Sequence, residues 1–215
     1  RTNGWPSYPM SSDSVFFIIV AQGASREKNQ SISGYLYIHT IRDSYSGMAL
    51  AVPMETKLQG KCYDNFKFFA GIITYRPRIL VKSDMASEIT GSVKELGWHS
   101  EPSLAERCPH NVVHEWYRLT FKSGCRAALL QSGFPTFAWE MVVLYVSVSL
   151  SIVQRAPILP HEKDAAGNVL AAFKAKESLT CWEAHHDGKE FPGPLQPFGR
   201  LCYYHNRSNH PLTST

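Results

Sequence analysis

The sequence predicts an all-β fold, a single two-sheet sandwich, and three observations carry that prediction. The first is the stretch 139 to 153, where Val146, Val148, Leu150 and Ile152 alternate with Ser147, Ser149 and Ser151. Successive side chains of a strand point to opposite faces, so a period of two buries the aliphatic set and leaves the serines to solvent. Ser is a poor residue for a helix interior, and the β-branched density favours a strand on the order of 45 Å long. The second observation is that about eight runs of strand texture are separated by loops of varied length. The third is that no long stretch shows a convincing amphipathic helical pattern.

In chain order, residues 1–14 are rich in Pro, Ser and Gly and read as an extended arm. Strands are predicted at 15–22, 34–42 and 47–53, where Pro53 ends the run. The passage 65–81 is expected to form two short strands divided by Gly71, with Pro77 marking a bulge or an edge. Further strands are expected at 88–96, 112–121, 139–153 and 168–182. Eight strands in this arrangement form a jelly-roll domain over 15–187, and 188–215, with its prolines and glycines, reads as a tail on the surface. In this register Val146, Val148, Leu150 and Ile152 face the interior, so Val148→Asp is expected to prevent folding and Ser149→Asp to be much milder.

A chain of 215 residues with 44% apolar content can bury one substantial core, so one domain is expected. A net charge of +4 demands no polyanionic partner, and Arg1 is the only cation before Arg26, so a basic arm is missing. The five cysteines, Cys62, Cys108, Cys125, Cys181 and Cys202, are irregularly spaced and odd in number, which argues for a reducing compartment over a disulfide framework. The apolar run 15–21 is too short to span a bilayer, so no membrane anchor is expected. The start at Arg1 rather than Met fits a product cut from a longer precursor. The sequons at Asn29 and Asn206 read as chance in that setting.

No Gly-x-Ser-x-Gly elbow, phosphate-binding Gly-rich loop or His-Glu-x-x-His is present. His185 and Asp187 supply half of an iron-oxygenase ligand set, in the wrong chain order for it, and the plainer reading is a surface loop. Cys108, His110, His114 and Glu115 offer zinc-ligand chemistry, but an alternating strand would put Glu115 opposite the histidines. Leu130-Gln131-Ser132-Gly133 looks like a junction for viral cysteine proteases, with chance as the default. Lys57, Lys61, Lys67, Arg76, Arg78 and Lys82 stand against only Asp64, with Phe66, Phe68, Phe69 and Tyr75 interleaved. That pattern is a candidate single-strand RNA surface, or a solvated face over a core face. Trp98, Trp116, Tyr117 and Trp139 could line a sugar-stacking platform, with buried aromatics as the commoner account.

The passages 66–81, 113–121, 133–139 and 168–182, each with its aromatic and Gly punctuation, resemble in order and texture the jelly-roll coat proteins of picorna-like viruses. The likeness is to the small coat proteins of the comovirus, fabavirus and nepovirus group, over about residues 60–185. That resemblance implies a structural coat protein of a non-enveloped icosahedral positive-strand RNA virus, matured from a polyprotein, with no catalysis and no cofactor. Its partners would be other copies and other coat proteins of the capsid, with weak non-specific RNA contact through the six cations and no membrane. Its place would be the virion, and the host cytoplasm during assembly. The alternatives are a cytosolic β-sandwich module binding carbohydrate or a small ligand, and a metal-dependent oxygenase built on His185 and Asp187. Free subunits are expected to lose both the arm and the tail to proteases and to bind RNA weakly.

Overall fold

The computed structural model describes residues 17–26, 30–71, 79–83, 86–102 and 112–200, the side chains of 17–26, 102 and 112–115 apart. It is a mixed α/β molecule in which one five-stranded sheet lies between two helical layers. The all-β jelly-roll expectation is overturned. The strands are β1 (Phe17–Arg26), β2 (Tyr37–Asp43), β3 (Ala49–Met54), β4 (Ile79–Ser83) and β5 (His99–Pro102), and their order across the sheet is β3-β2-β1-β4-β5. β1, β2 and β3 form an antiparallel meander, while β4 and β5 lie parallel to β1 beyond it. The first three strands correspond closely to the runs predicted at 15–22, 34–42 and 47–53. β1 bulges between Gln22 and Ser25, where Gly23 relieves the crowding an extra residue brings. Pro53 lies inside β3, opposite Ile38, which an edge strand tolerates.

The other predicted strands fall mostly within helices. α1 (Gln59–Ala70) takes most of the aromatic passage that was expected to be a strand. Its buried residues Cys62, Phe66 and Ala70 recur every four positions, the spacing of one helical face. Gly71 does divide the passage, as the residue that ends α1 at φ 54°, and only the part beyond it, β4, is a strand. α2 (Ser87–Glu95) replaces the strand expected at 88–96 and buries Ile89 and Val93 beside Phe66, Ile79, Val81 and Trp98. α1 and α2 cover one face of the sheet and bond to each other through Ser92 Oγ, which donates to the Gln59 carbonyl at 2.8 Å.

The opposite face is covered by a helical hairpin, α3 (Val112–Ser132) and α4 (Trp139–Val153), where strands were expected at 112–121 and 139–153. Tyr117, Phe121, Val142, Val143 and Val146 pack on Ile38, Ala49 and Ala51. The two helices approach closely at Gly124, where a Cβ would stand 2.9 Å from Val146 Cγ1. The Val/Ser alternation of 146–152 is therefore not a strand register. In the helix Val146, Ser147 and Ser151 are buried, and the hydroxyls of Ser147 and Ser151 donate back to the carbonyls of Leu144 (2.9 Å) and Ser147 (3.0 Å). That back-bonding gives the buried hydroxyls partners that they would otherwise lack. Ser151 Oγ also accepts the edge-strand amide of Ala49 at 3.1 Å.

Where the last strand was expected, 168–182, the chain forms short helical turns, including α5 (Lys174–Ser178) and the start of α6 (Cys181–His185). This C-terminal segment is strapped back to the end of α4 by Ala156 N to Leu179 O (3.0 Å) and Cys181 N to Gln154 O (2.8 Å). Residues 188–200 continue over the surface of α4. The predicted N-terminal arm, 1–14, lies outside the described residues.

Candidate functional site

In an open sheet with parallel strands, ligands bind beyond the carboxyl ends of the strands, where the chain path switches direction. Here that place lies at the parallel neighbours β1 and β4, because β1 leads by a hairpin to β2 on one side while β4 pairs on its other side. The register sets Val20 of β1 beside Lys82 of β4, and Lys82 beside Glu101 of β5. In β4, Ile79, Val81 and Ser83 are buried and Ile79 and Val81 join the α1/α2 cluster, so Lys82 projects to the face that carries α3. Its Nζ lies 3.4 Å from Glu101 Oε2, and both side chains are well exposed.

α3 is seated on this face by Tyr117 and Phe121 and by the guanidinium of Arg42, whose Cζ lies 5.4 Å from the Tyr117 ring centroid. Arg42 pairs with Val20, so the first turn of α3, which contains Glu115, is anchored through Tyr117 to the middle of the sheet. Asp84 follows Ser83 directly in the sequence. β1 contributes no carboxylate, and its residue opposite Thr40 is Gln22. By sequence Asp84 follows β4 and Glu115 falls in the first turn of α3, while the charged chemistry that the described side chains offer here is the Lys82–Glu101 pair.

A second polar cluster lies at the β2–β3 turn. Asp43 accepts from Ser46 Oγ (2.5 Å), Ser46 N (2.9 Å) and Tyr45 N (3.2 Å), and His185 Nδ1 lies 3.3 Å from Ser46 Oγ and 3.9 Å from Asp43 Oδ2. Burial alone would raise the Asp43 carboxyl, yet the nearby His185 ring and the hydrogen bonds from Ser46 hold it below the usual carboxylate range. Beside it Lys176 Nζ donates to both oxygens of Glu162 (2.7 and 2.9 Å) and lies 3.9 Å from the Tyr45 ring centroid. Ser46 is fully buried and already bonded to the aspartate. No substrate reaches it, so the Ser, His and Asp here fasten the C-terminal segment to the turn.

Of the six cations expected to contact RNA, Lys57, Lys61 and Lys67 are exposed at and around α1, on one side of the sheet, and Lys82 faces the other side. Lys57 and Lys67 lie over the rings of Tyr37 and Tyr63, at 5.5 and 5.3 Å. Arg76 and Arg78 lie outside the described residues. His185 is buried against the β2–β3 turn while Asp187 is exposed at φ 55°, and no group of three or more metal-binding side chains occurs among the described residues. The oxygenase reading loses its basis. The carbohydrate platform fails as well: Trp98 is buried with α1 and α2, Tyr117 and Trp139 are buried under α3 and α4, and only Trp116 is exposed. Cys108 and His110 lie outside the described residues, and His114 and Glu115 sit on a helix rather than an alternating strand.

No family model matches the chain, and no curated protein matches it by sequence. Solved structures do match. Two of them are the HTLV-2 integrase catalytic core domain in complex with magnesium, in its trimeric form (10% identity, TM-score 0.50) and its dimeric form (13% identity, TM-score 0.50). Each alignment covers 81% of this chain and 100% of that one. The shared fold is RNase H-like. This finding overturns the coat-protein resemblance together with the capsid function inferred from it. The expectation of no catalysis rested on that resemblance and loses that support; the two solved structures are themselves catalytic cores.

Asp84 and Glu115 went unnoticed as a pair in the sequence. Asp84 follows in the sequence after a strand expected to end at Val81 and found at Ile79–Ser83, and Glu115 was assigned to a strand at 112–121 whose buried residues, Tyr117 and Phe121, in fact follow a helical spacing.

Proposed function

We propose that this chain is a nucleic-acid-processing domain that catalyses magnesium-dependent phosphoryl transfer, cutting or joining phosphodiester bonds. The observation that carries the reading is the sheet with β4 parallel beside β1, together with a fold likeness over 81% of the chain to magnesium-bound integrase cores. Magnesium takes one or two carboxylates and completes its shell with water and substrate phosphate oxygens. In the sequence, Asp84 after β4 and Glu115 on α3 are carboxylates of the kind and number required. When bound, the ion neutralises charge on the reacting phosphate and acidifies a coordinated water or hydroxyl.

The chain's own residues have separate tasks in this reading. Asp84 and Glu115 would hold the ion, and Lys82, exposed and shared with Glu101, would bind a phosphate oxygen when nucleic acid enters. The test is a cleavage and joining assay on a labelled DNA duplex, with and without Mg2+, for the unaltered chain and for Asp84→Asn and Glu115→Gln. Each substitution is expected to lower the rate by about 100-fold or more while leaving the fold intact. Cleavage that persists in a chelator, or survives both substitutions, would sink the proposal.

A further inference from the structure

We infer that Glu101 sets how tightly nucleic acid is held at this site, by masking Lys82 in the free chain and yielding it to a phosphate. Lys82 enters as the phosphate contact of the proposed function, on which this role rests. Parallel pairing places Lys82 of β4 beside Glu101 of β5, and Leu80 beside His99. Residues paired in register across neighbouring strands project to the same face, so the ammonium and the carboxylate stand side by side. Lys82 Nζ lies 3.4 Å from Glu101 Oε2.

The backbone beneath this pair is fixed on both strands. Trp98, directly before β5, is buried edge-on against Phe66 of α1 at 5.7 Å, and its amide donates to the Val93 carbonyl of α2 at 3.0 Å. Val81 and Ser83, on either side of Lys82, are buried on the opposite face. Only the charged side chains are open, at 40% exposure for Lys82 and 55% for Glu101. An ion pair this exposed is worth at most about a factor of five in an equilibrium. A phosphate oxygen, itself a strong charged acceptor, therefore displaces the carboxylate readily.

In the free chain Lys82 already has its counter-charge. When it turns to a phosphate it leaves Glu101 without one, so the contact gains less than an unpaired lysine would bring. Removing the carboxylate removes that loss. β5 is also the last strand of the sheet and only four residues long, and charges on short edge strands discourage pairing with other chains. Edge protection acts through stability and solubility alone, whereas a mask acts through nucleic-acid affinity and its dependence on salt.

The experiment is fluorescence anisotropy of a labelled DNA duplex across a salt series, in chelator so that metal-dependent turnover plays no part. The full chain is compared with Glu101→Gln, Glu101→Ala, Lys82→Gln and the double variant Lys82→Gln/Glu101→Gln. Both Glu101 variants are expected to bind about three- to fivefold more tightly at low salt. Their affinity is expected to fall more steeply with salt, by up to about one unit in the log–log slope. Lys82→Gln is expected to bind more weakly with a shallower slope, and Glu101→Gln to change nothing further in that background. Unchanged or weaker binding by both Glu101 variants overturns the inference and leaves edge protection as the role of the pair. A full gain that persists without Lys82 overturns it as well, because the carboxylate then acts by direct repulsion. These outcomes are independent of the cleavage assay: a domain with an unmasked Lys82 can still cleave DNA, and the mask can operate in a chain that does not.

Discussion

His39 is fully buried on β2, edge-on to Phe66 with ring centroids 5.2 Å apart. Its Nδ1 lies 3.3 Å from Asn65 Nδ2, and Nε2 has no partner among the described residues. If the amide donates to Nδ1, the ring is neutral with its proton on Nε2, and burial lowers its pKa to about 4. An unfolded histidine titrates near 6.5, so the unfolded chain takes up the proton first as pH falls. The contribution to stability is therefore complete above about pH 7 and is lost progressively between about 6.5 and 4, amounting to roughly 3 kcal/mol. Asp43 acts in a lower window, because its depressed carboxyl loses its contribution only as pH falls through the acid range below about 4. Urea unfolding at pH 7, 5.5 and 4 is expected to show the first loss in the unaltered chain and to lack it in His39→Leu. A parallel loss in both would assign it elsewhere. The Lys176–Glu162 pair is a second residue-scale test. Lys176→Met leaves Glu162, a fully buried carboxylate, without its cation, and is expected to cost about 3–5 kcal/mol. The double variant with Glu162→Leu should lose less than Lys176→Met alone, measured in the same urea series.

At the scale of elements, the sequence was legible where tertiary contacts agree with local pattern and misleading where they override it. β1, β2 and β3 have the β-branched, alternating texture of strands, and they form strands. In α4 the same β-branched residues occur in a helix, because two buried surfaces decide the matter: the sheet face at Ala49 and Ala51, and the Gly124 notch on α3. Alternation of Val and Ser satisfies a period of two, but Val142, Val143, Val146, Ser147 and Ser151 satisfy a helical stripe at the same time. Serines able to bond back to their own helix made the choice invisible from composition. The two registers give opposite mutational outcomes. Val143→Asp, at a position only 1% exposed, is expected to abolish folding, while Val148→Asp at a half-buried position should cost much less. Soluble yield and circular dichroism distinguish them, and a Val148 variant as damaging as the Val143 one would restore the strand register. The candidate site suffered from the same error. With 112–121 taken as a strand, Glu115 was read on an alternating face, whereas it falls in the first turn of α3, the helix whose Tyr117 and Phe121 pack on β2 and β3.

For the whole molecule, the clearest departure from the sequence reading among the described residues is the C-terminal segment, whose Pro and Gly content suggested a tail ordered only by neighbouring subunits. Residues 188–200 instead use the chain's own helices. Gly188 N donates to the Glu183 carbonyl at 2.8 Å, and Phe191 packs edge-on against Trp182 at 5.0 Å. Tyr145 Oη donates to the Gln196 carbonyl at 2.6 Å, and Phe198 sits against both Phe134 and Tyr145. Gly199, at φ 79°, closes the turn where a Cβ would stand 2.5 Å from Ser132 Cβ. Composition could not reveal this, because a few well-placed aromatic contacts to α3, α4 and α6 supply what a regular apolar pattern would otherwise signal. Proteases cut chain that opens locally, so attachment on both sides of Lys189 has a measurable consequence. Trypsin acting on the native isolated chain is expected to spare the Lys189 bond and to cut it readily in urea. Phe198→Ala removes one anchor and is expected to speed native cleavage there roughly tenfold, the effect of about 1.4 kcal/mol on local opening. If Lys189 is cut in the native chain as fast as in urea, the segment is free in solution, and the contacts of Phe191, Gln196 and Phe198 contribute nothing to holding it.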